Sequence, residues 1–233
     1  RVVAAAIEAF RRAGAREVIV AEGPGHRRDT ELLLELSGFA EMLHQLKAPF
    51  LDLNLDSVAP IDLPSNHSGL RRLLLPATIL GADLLVSMAK MKTPQWAGVT
   101  LAMKHLFGVV PGATYGWPKN PLHWAGIAAS VADIATAVEP GFAIIDGIEA
   151  MQGDGPLFGD TVEAGVLLMG DNLTATDATA ARLMGIYPER VGYLTLMEQH
   201  GGTTNEAHID QAGEDLAGLR RDFQVLDELS AVK

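Results

Sequence analysis

The chain has 233 residues, 48% of them hydrophobic and 20% charged, with a net charge of −11. That length builds one large domain or two small ones around a substantial core, and the acidic balance argues against nucleic acid or an anionic membrane surface as a bulk-charge partner. No cysteine is present, which excludes disulfides, thiolate metal sites, cysteine-held iron–sulfur clusters and a cysteine nucleophile within this chain.

Residues 2–12 carry Ala and Ile on one face and Glu8, Arg11 and Arg12 on the other, which predicts a helix stopped by Gly14. "REVIVAEGPG" reads as a strand closed by a turn. Asp29 or Thr30 is placed to cap the next helix, through Leu36. "APFLDLN", "LRRLLLP" and "ADLLVSMAK" read as further strands, each short, apolar and followed by polar or turn residues. Residues 98–106 and 123–138 predict helices, "FAIIDG" a strand, "MQGDGPLFGD" a glycine loop and "AGVLLMGDN" another strand. "TATDATAARLMG" and "PERVGYLTLMEQHG" then predict two helices, and residues 205–233 a helix with an extended tail. The alternation predicts an α/β fold: a mainly parallel sheet with helices on both faces, including residues 18–21, 84–87, 143–146 and 166–169. Residues 1–200 form one domain in this reading, and 201–233 a C-terminal helix and tail.

No apolar run approaches the roughly 18 residues of a membrane helix, and no signal-peptide pattern is present, so a cytoplasmic location without membrane contact is expected. The chain opens at Arg1 inside a helical pattern and without Met, so residues are expected to precede it.

Charge is unevenly distributed. The 49 residues between Asp83 and Asp133 contain no Asp or Glu, where the chain's own frequency predicts about six. Lys90, Lys92, Lys104 and Lys119 fall in that window, with His105 and His123. The opposite bias follows: residues 120–181 hold nine acids and no Lys or Arg. Lysines hold phosphate or carboxylate as point charges. Clustered Asp oxygens hold a hard divalent cation, which bridges to a substrate anion. The alternative is mutual surface pairing of the two segments.

Candidate anion-binding groups are therefore Lys90, Lys92, Thr93, Lys104, Lys119 and Asn120, with the backbone of Gly153 and Gly155. Lys90 and Lys92 share a side while the strand continues, or else guard an exposed edge. "YGWPKN" reads as a ligand-facing lid or as an aromatic plug. Glycines 153 and 155 permit a backbone cup for an anion, although "IDGIEAMQGDGPLFG" is neither a Walker loop nor a dinucleotide fingerprint. Asp146, Asp154, Asp171 and Asp177 are candidate metal carboxylates. Asp146 is equally an Asx-turn residue, and Asp177 a complement to a helix dipole whose cap is Thr174 or Thr176. His105, His123 and Asp146 are the candidate acid–base groups. His26, His44, His67, His200 and His208 show no ligand spacing and read as surface residues.

The stretches "KMKT…GVTLAMKHLFG", "YGWPKNPLH", "IIDGIEAMQGDGPLFG" and "MGDNLTATDATAARLMGI" resemble the domain of unknown function 362 family, in the family's order and over residues 2–193. Some members carry ferredoxin-type clusters on an attached segment, which the absence of cysteine keeps from this chain. The family often has His where this chain has Pro94 and Asn where it has His105, so if the family's His is a ligand or base, this chain either lacks that function or supplies it through His105. A strand with a lysine-proline-asparagine turn usually opens the family pattern and would precede Arg1. The resemblance implies no reaction.

Three functions fit these readings. The first is an enzyme acting on a small phosphorylated or carboxylated molecule, assisted by a divalent metal. The second is a non-catalytic binding or redox-accessory module for an iron–sulfur partner. The third is a structural domain whose loops join copies of the chain into a homo-oligomer.

Overall fold

The computed structural model describes residues 1–25, 28–116 and 120–233. In chain order, helix α1 (Val2–Arg12) leads to strand β1 (Val20–Glu22), helices α2 (Thr30–Leu36) and α3 (Phe39–Leu46), strands β2 (Phe50–Asp52), β3 (Val58–Asp62) and β4 (Arg72–Pro76), and helix α4 (Ala77–Leu80). Strand β5 (Val86–Pro94) follows, then helices α5 (Ala102–His105), α6 (Gly112–Tyr115), α7 (Asn120–Trp124) and α8 (Ile127–Val138), and the long strand β6 (Phe142–Gly155). Strands β7 (Asp160–Val162) and β8 (Val166–Gly170) precede helices α9 (Leu173–Leu183), α10 (Gly192–Met197) and α11 (Leu216–Leu219).

The chain divides into two compact units. One comprises residues 1–61, 74–81 and 108–121, the other residues 62–73, 82–107 and 122–233. In the first, β1 and β2 pair in parallel, Val20 opposite Phe50 and Glu22 opposite Asp52. The apolar stripe of α1 meets α3 through Ile7 and Leu43, with Val20, Phe39 and Phe50 packed around them. Asp29 caps α2 by accepting from the Leu32 amide, and the Arg11 guanidinium donates to the carbonyls of Leu46 and Lys47 at the end of α3. β3 and β4 form a separate two-stranded sheet.

The second unit is built on β6. β5 runs parallel to it, placing Lys90 opposite Asp146, while β7 and β8 run antiparallel along different stretches of β6. This corrects the expected mainly parallel sheet: the fold is mixed α/β. The links from β6 to β7 and from β7 to β8 span only residues 156–159 and 163–165, too short for the crossover a parallel return requires. The predicted strand at 166–169 therefore returns beside 143–147 in the opposite direction. "MQGDG" is strand rather than loop, because β7 pairs with Ala150, Met151 and Gln152.

Burial alternates along β5, where Ser87, Ala89, Met91 and Thr93 are buried and Lys90 is exposed. The Ser87 hydroxyl donates to the Ala102 carbonyl of α5, and a Cβ at Gly170 would strike Thr176 of α9. Both helices therefore lie on the face shared by Ser87, Ala143 and Gly170. The opposite face carries the row Lys90, Asp146 and Leu167 and leaves Leu167 45% and Met169 60% exposed. In this unit α5 and α9 thus lie on one face, against the expectation of helices on both. The core beneath includes Leu101, Met103, Leu122, Ile134, Ile145 and Tyr193. The helix expected over 123–138 is divided at Gly126, whose φ is +96°, and that over 188–201 is broken where Val191 is extended.

Candidate anion-binding site

Lys90 lies midway along β5. Its Nζ lies 3.1 Å from Asp146 Oδ2, and the same carboxylate accepts from the Ile148 amide through Oδ1. Parallel pairing of β5 with β6 makes the two residues direct register partners. Asp146 thus combines the Asx-turn role with an ion pair.

Lys104 is reached from the other side. α5 is a single turn whose N-terminal amides would otherwise lie buried and unpaired. Asp177, fully buried on α9, accepts from the Ala102 amide at 2.8 Å and the Met103 amide at 2.9 Å. Burial pushes this carboxyl up to about 7, against the pull of those two amides. Burial also raises the phenol of buried Tyr193, with a contribution from the charge of Asp177. Asp177 is therefore a clamp on the helix that carries Lys104 and His105.

The Lys104 ammonium sits 4.4 Å from the centroid of the Phe107 ring. Phe107 meets His123 edge-on at 5.3 Å, and His123 meets Trp96 edge-on at 5.3 Å. Trp96 is 62% exposed, which leaves this end of the aromatic row open to solvent. Burial, and then the charge of Lys92, lower Lys104 to about 8. Lys92 is held in place by backbone hydrogen bonds exchanged with Thr100, where the chain doubles back before α5. Among the described residues no carboxylate forms an ion pair with Lys104.

The remaining candidates are placed elsewhere. Thr93 is buried, with its hydroxyl 3.0 Å from the Gln224 carbonyl and 3.3 Å from that of Gly153. The Gly153 amide also donates to the Gln224 carbonyl. A Cβ at Gly155 would lie 2.4 Å from the Thr93 carbonyl oxygen, so glycine there permits close passage of β5 over β6. Asp154 accepts from the Gln95 amide group at 2.6 Å. Thr93 and Gly153 tie the C-terminal segment to the end of the β5–β6 pair through the Gln224 carbonyl. Lys119 and the side chain of Asn120 lie outside the described residues.

Asp171 faces a cavity that no lysine among the described residues lines. With Glu139, Asn172, Thr174, Met197 and His200 it lines this cavity of about 380 Å³. Asn172, and neither Thr174 nor Thr176, caps α9 by accepting from the Ala175 amide. Among the described residues no three or more His, Asp or Glu side chains are gathered to hold a metal ion, so the four candidate aspartates do not form one centre.

Two features escaped the sequence. Asp133 on α8 is buried and accepts from the Ser65 hydroxyl, the His67 amide, and the amide and hydroxyl of Ser68. Burial alone would raise this carboxyl, but those donors outweigh it and hold it below the ordinary range. The segment fixed in this way presents His67, whose Nε2 is 3.0 Å from Nε2 of His200. Acceptor and donors are more than 60 positions apart in the chain, so no local spacing signals the contact.

No solved structure matches the chain. A thylakoid-associated protein of Synechocystis sp. is 27% identical over 180 residues, covering 75% of this chain and 54% of that protein. The chain thus spans about half the length of this relative. Among the described residues no helix is long and apolar enough to cross a membrane. The family model of the domain of unknown function DUF362 matches residues 1–182, well over half of the chain, and the protein belongs to that family.

Proposed function

We propose that the second unit binds a small carboxylated or phosphorylated molecule at Lys92 and Lys104 and acts on it as an enzyme. The observation that carries this reading is the placement of Lys104. Its ammonium is partly buried against Phe107, near a second lysine and without a carboxylate partner among the described residues. Burial strips hydration from the Lys104 ammonium and the charge of Lys92 disfavours it further, and an anion bound against Lys104 offsets both penalties. Trp96 and His123 supply an aromatic wall beside the lysines. Asp177 fixes the turn that carries Lys104, so the site is formed before ligand arrives.

A metal is not needed for this reading, because Asp146 already faces the ammonium of Lys90. An amine titrating near pH 8 is suited to take up or deliver a proton, and that property favours an enzyme over a passive binding module. A cytoplasmic location is part of the same proposal.

The test is thermal unfolding with phosphate, oxalate and citrate, followed by turnover assays on whichever class stabilises. A ligand at 100 times its dissociation constant should contribute about 2.7 kcal/mol. The response should vanish in Lys104→Gln and Lys92→Gln and persist in Lys47→Gln. An equal response in all three variants, or none in the parent protein, would end the proposal. Binding without turnover of any bound class would leave the accessory-module alternative in its place.

A further inference from the structure

We propose that His67 and His200 form a binding site for a borderline transition-metal ion such as Zn²⁺, Cu²⁺ or Ni²⁺, at the rim of the cavity lined by Asp171. The two Nε2 atoms are 3.0 Å apart and the rings are set at 80° to one another. Two Zn–N bonds of about 2.0–2.1 Å at the tetrahedral angle place their nitrogens about 3.3–3.4 Å apart. A movement of a few tenths of an ångström therefore admits the ion. A hydrogen bond between two imidazole nitrogens uses one as donor and the other as an unprotonated acceptor. A metal ion takes the place of the donated proton, and the proton leaves to solvent.

The surroundings favour this over an incidental surface contact. Residues 65–68 are fastened to α8 by a buried carboxylate that accepts from four donors. Ser65 also contacts the Thr136 hydroxyl. A hydrogen bond between two exposed rings gives little stability, yet this anchoring fixes the backbone of His67 opposite His200. Pre-positioned ligands lower the cost of metal capture. Imidazole nitrogen suits Zn, Cu and Ni rather than Mg. With two protein ligands, the remaining positions of the ion stay open to water; Asp171 and Asn172 line the same cavity as His200, and among the described residues no third His, Asp or Glu is gathered with the pair.

The site is tested by calorimetric titration of the full chain with Zn²⁺, and by electron paramagnetic resonance with Cu²⁺. The parent protein is compared with His67→Ala and His200→Ala. We expect one equivalent in the parent bound more tightly than the background, and at least about tenfold weaker binding in each variant. Two nitrogen ligands on Cu²⁺ should fall to one in either variant, and Mg²⁺ should not compete. The five other histidines supply the common background. Unchanged binding in either variant, or a single nitrogen in the parent, overturns the site. Circular dichroism confirms folding. If an alanine variant is unfolded, His67→Gln and His200→Gln, which keep polar side chains of similar reach, give the same comparison.

Discussion

Replacing Asp177 with asparagine should abolish a pH dependence that the wild-type fold carries. The carboxyl is fully buried and titrates near 7, against 3.8 for an ordinary Asp. Three pH units at about 1.4 kcal/mol each correspond to about 4 kcal/mol. The folded state holds this proton more tightly, so between these values it binds more protons than the unfolded chain. Stability from this group is therefore complete below about pH 4, declines as pH rises, and is gone above pH 7. The isoelectric point lies near 5.0, so urea unfolding is best followed from pH 5.5 to 8. About 2 kcal/mol of the change falls in that window. The amide side chain of the Asp177→Asn variant cannot ionise, and the variant should show none of it. That side chain offers one carbonyl to two amides, so the variant should be less stable than wild type at pH 5.5 by about 1–3 kcal/mol. The wild-type advantage should shrink by about 2 kcal/mol on reaching pH 8. Parallel curves for the two proteins would refute the reasoning, by showing that the Ala102 and Met103 amides fully offset the burial.

Lys104→Met should raise the unfolding temperature at pH 7. The lysine titrates near 8 instead of 10.5, so the unfolded chain binds more protons between those values and wild-type stability rises with pH across them. Below pH 8 the penalty is complete, and removing it should contribute about 1–3 kcal/mol, or about 2–10 °C for a chain of this size. A lower melting temperature would mean that the ammonium is favourably paired. Gly155→Ala should cost about 2–3 kcal/mol in denaturant unfolding, because its Cβ meets the Thr93 carbonyl. Gly153→Ala meets no atom within 4 Å and carries only a φ of +78°, so about 1 kcal/mol is expected. Equal losses would show that β5 and β6 are not closely apposed there.

Lys90 and Asp146 were each singled out in the sequence at the end of an aliphatic run; that both strands continue past them, leaving the pair in mid-strand, was not legible. The cap at Asp29 and the stop at Gly14 were legible because their partners lie within a few residues. The path of β6 was not. Gly153 and Gly155 carry no strand propensity, and pairing with β5 and β7 overrides it. Nor could the role of Asp177 be read locally, since the helix it caps lies 75 positions earlier. His67 and His200 are 133 positions apart, and each alone reads as solvated. Lys104 was singled out by the charge map, but its burial is a product of packing by α5 and Phe107.

The C-terminal segment alters where this unit ends in practice. The family match stops at residue 182, one residue short of the end of α9. Beyond it, Phe223 is buried, its amide donates to the Met184 carbonyl, and the Gln224 carbonyl receives donors from both Thr93 and Gly153. A fragment cut at the family boundary would strip those acceptors from β5 and β6 and leave a buried hydroxyl without its main partner. Such a fragment should express as an aggregation-prone, protease-sensitive species, even though it contains every lysine of the candidate site. Recombinant work on relatives is therefore best begun from boundaries drawn through hydrogen bonds rather than through sequence similarity.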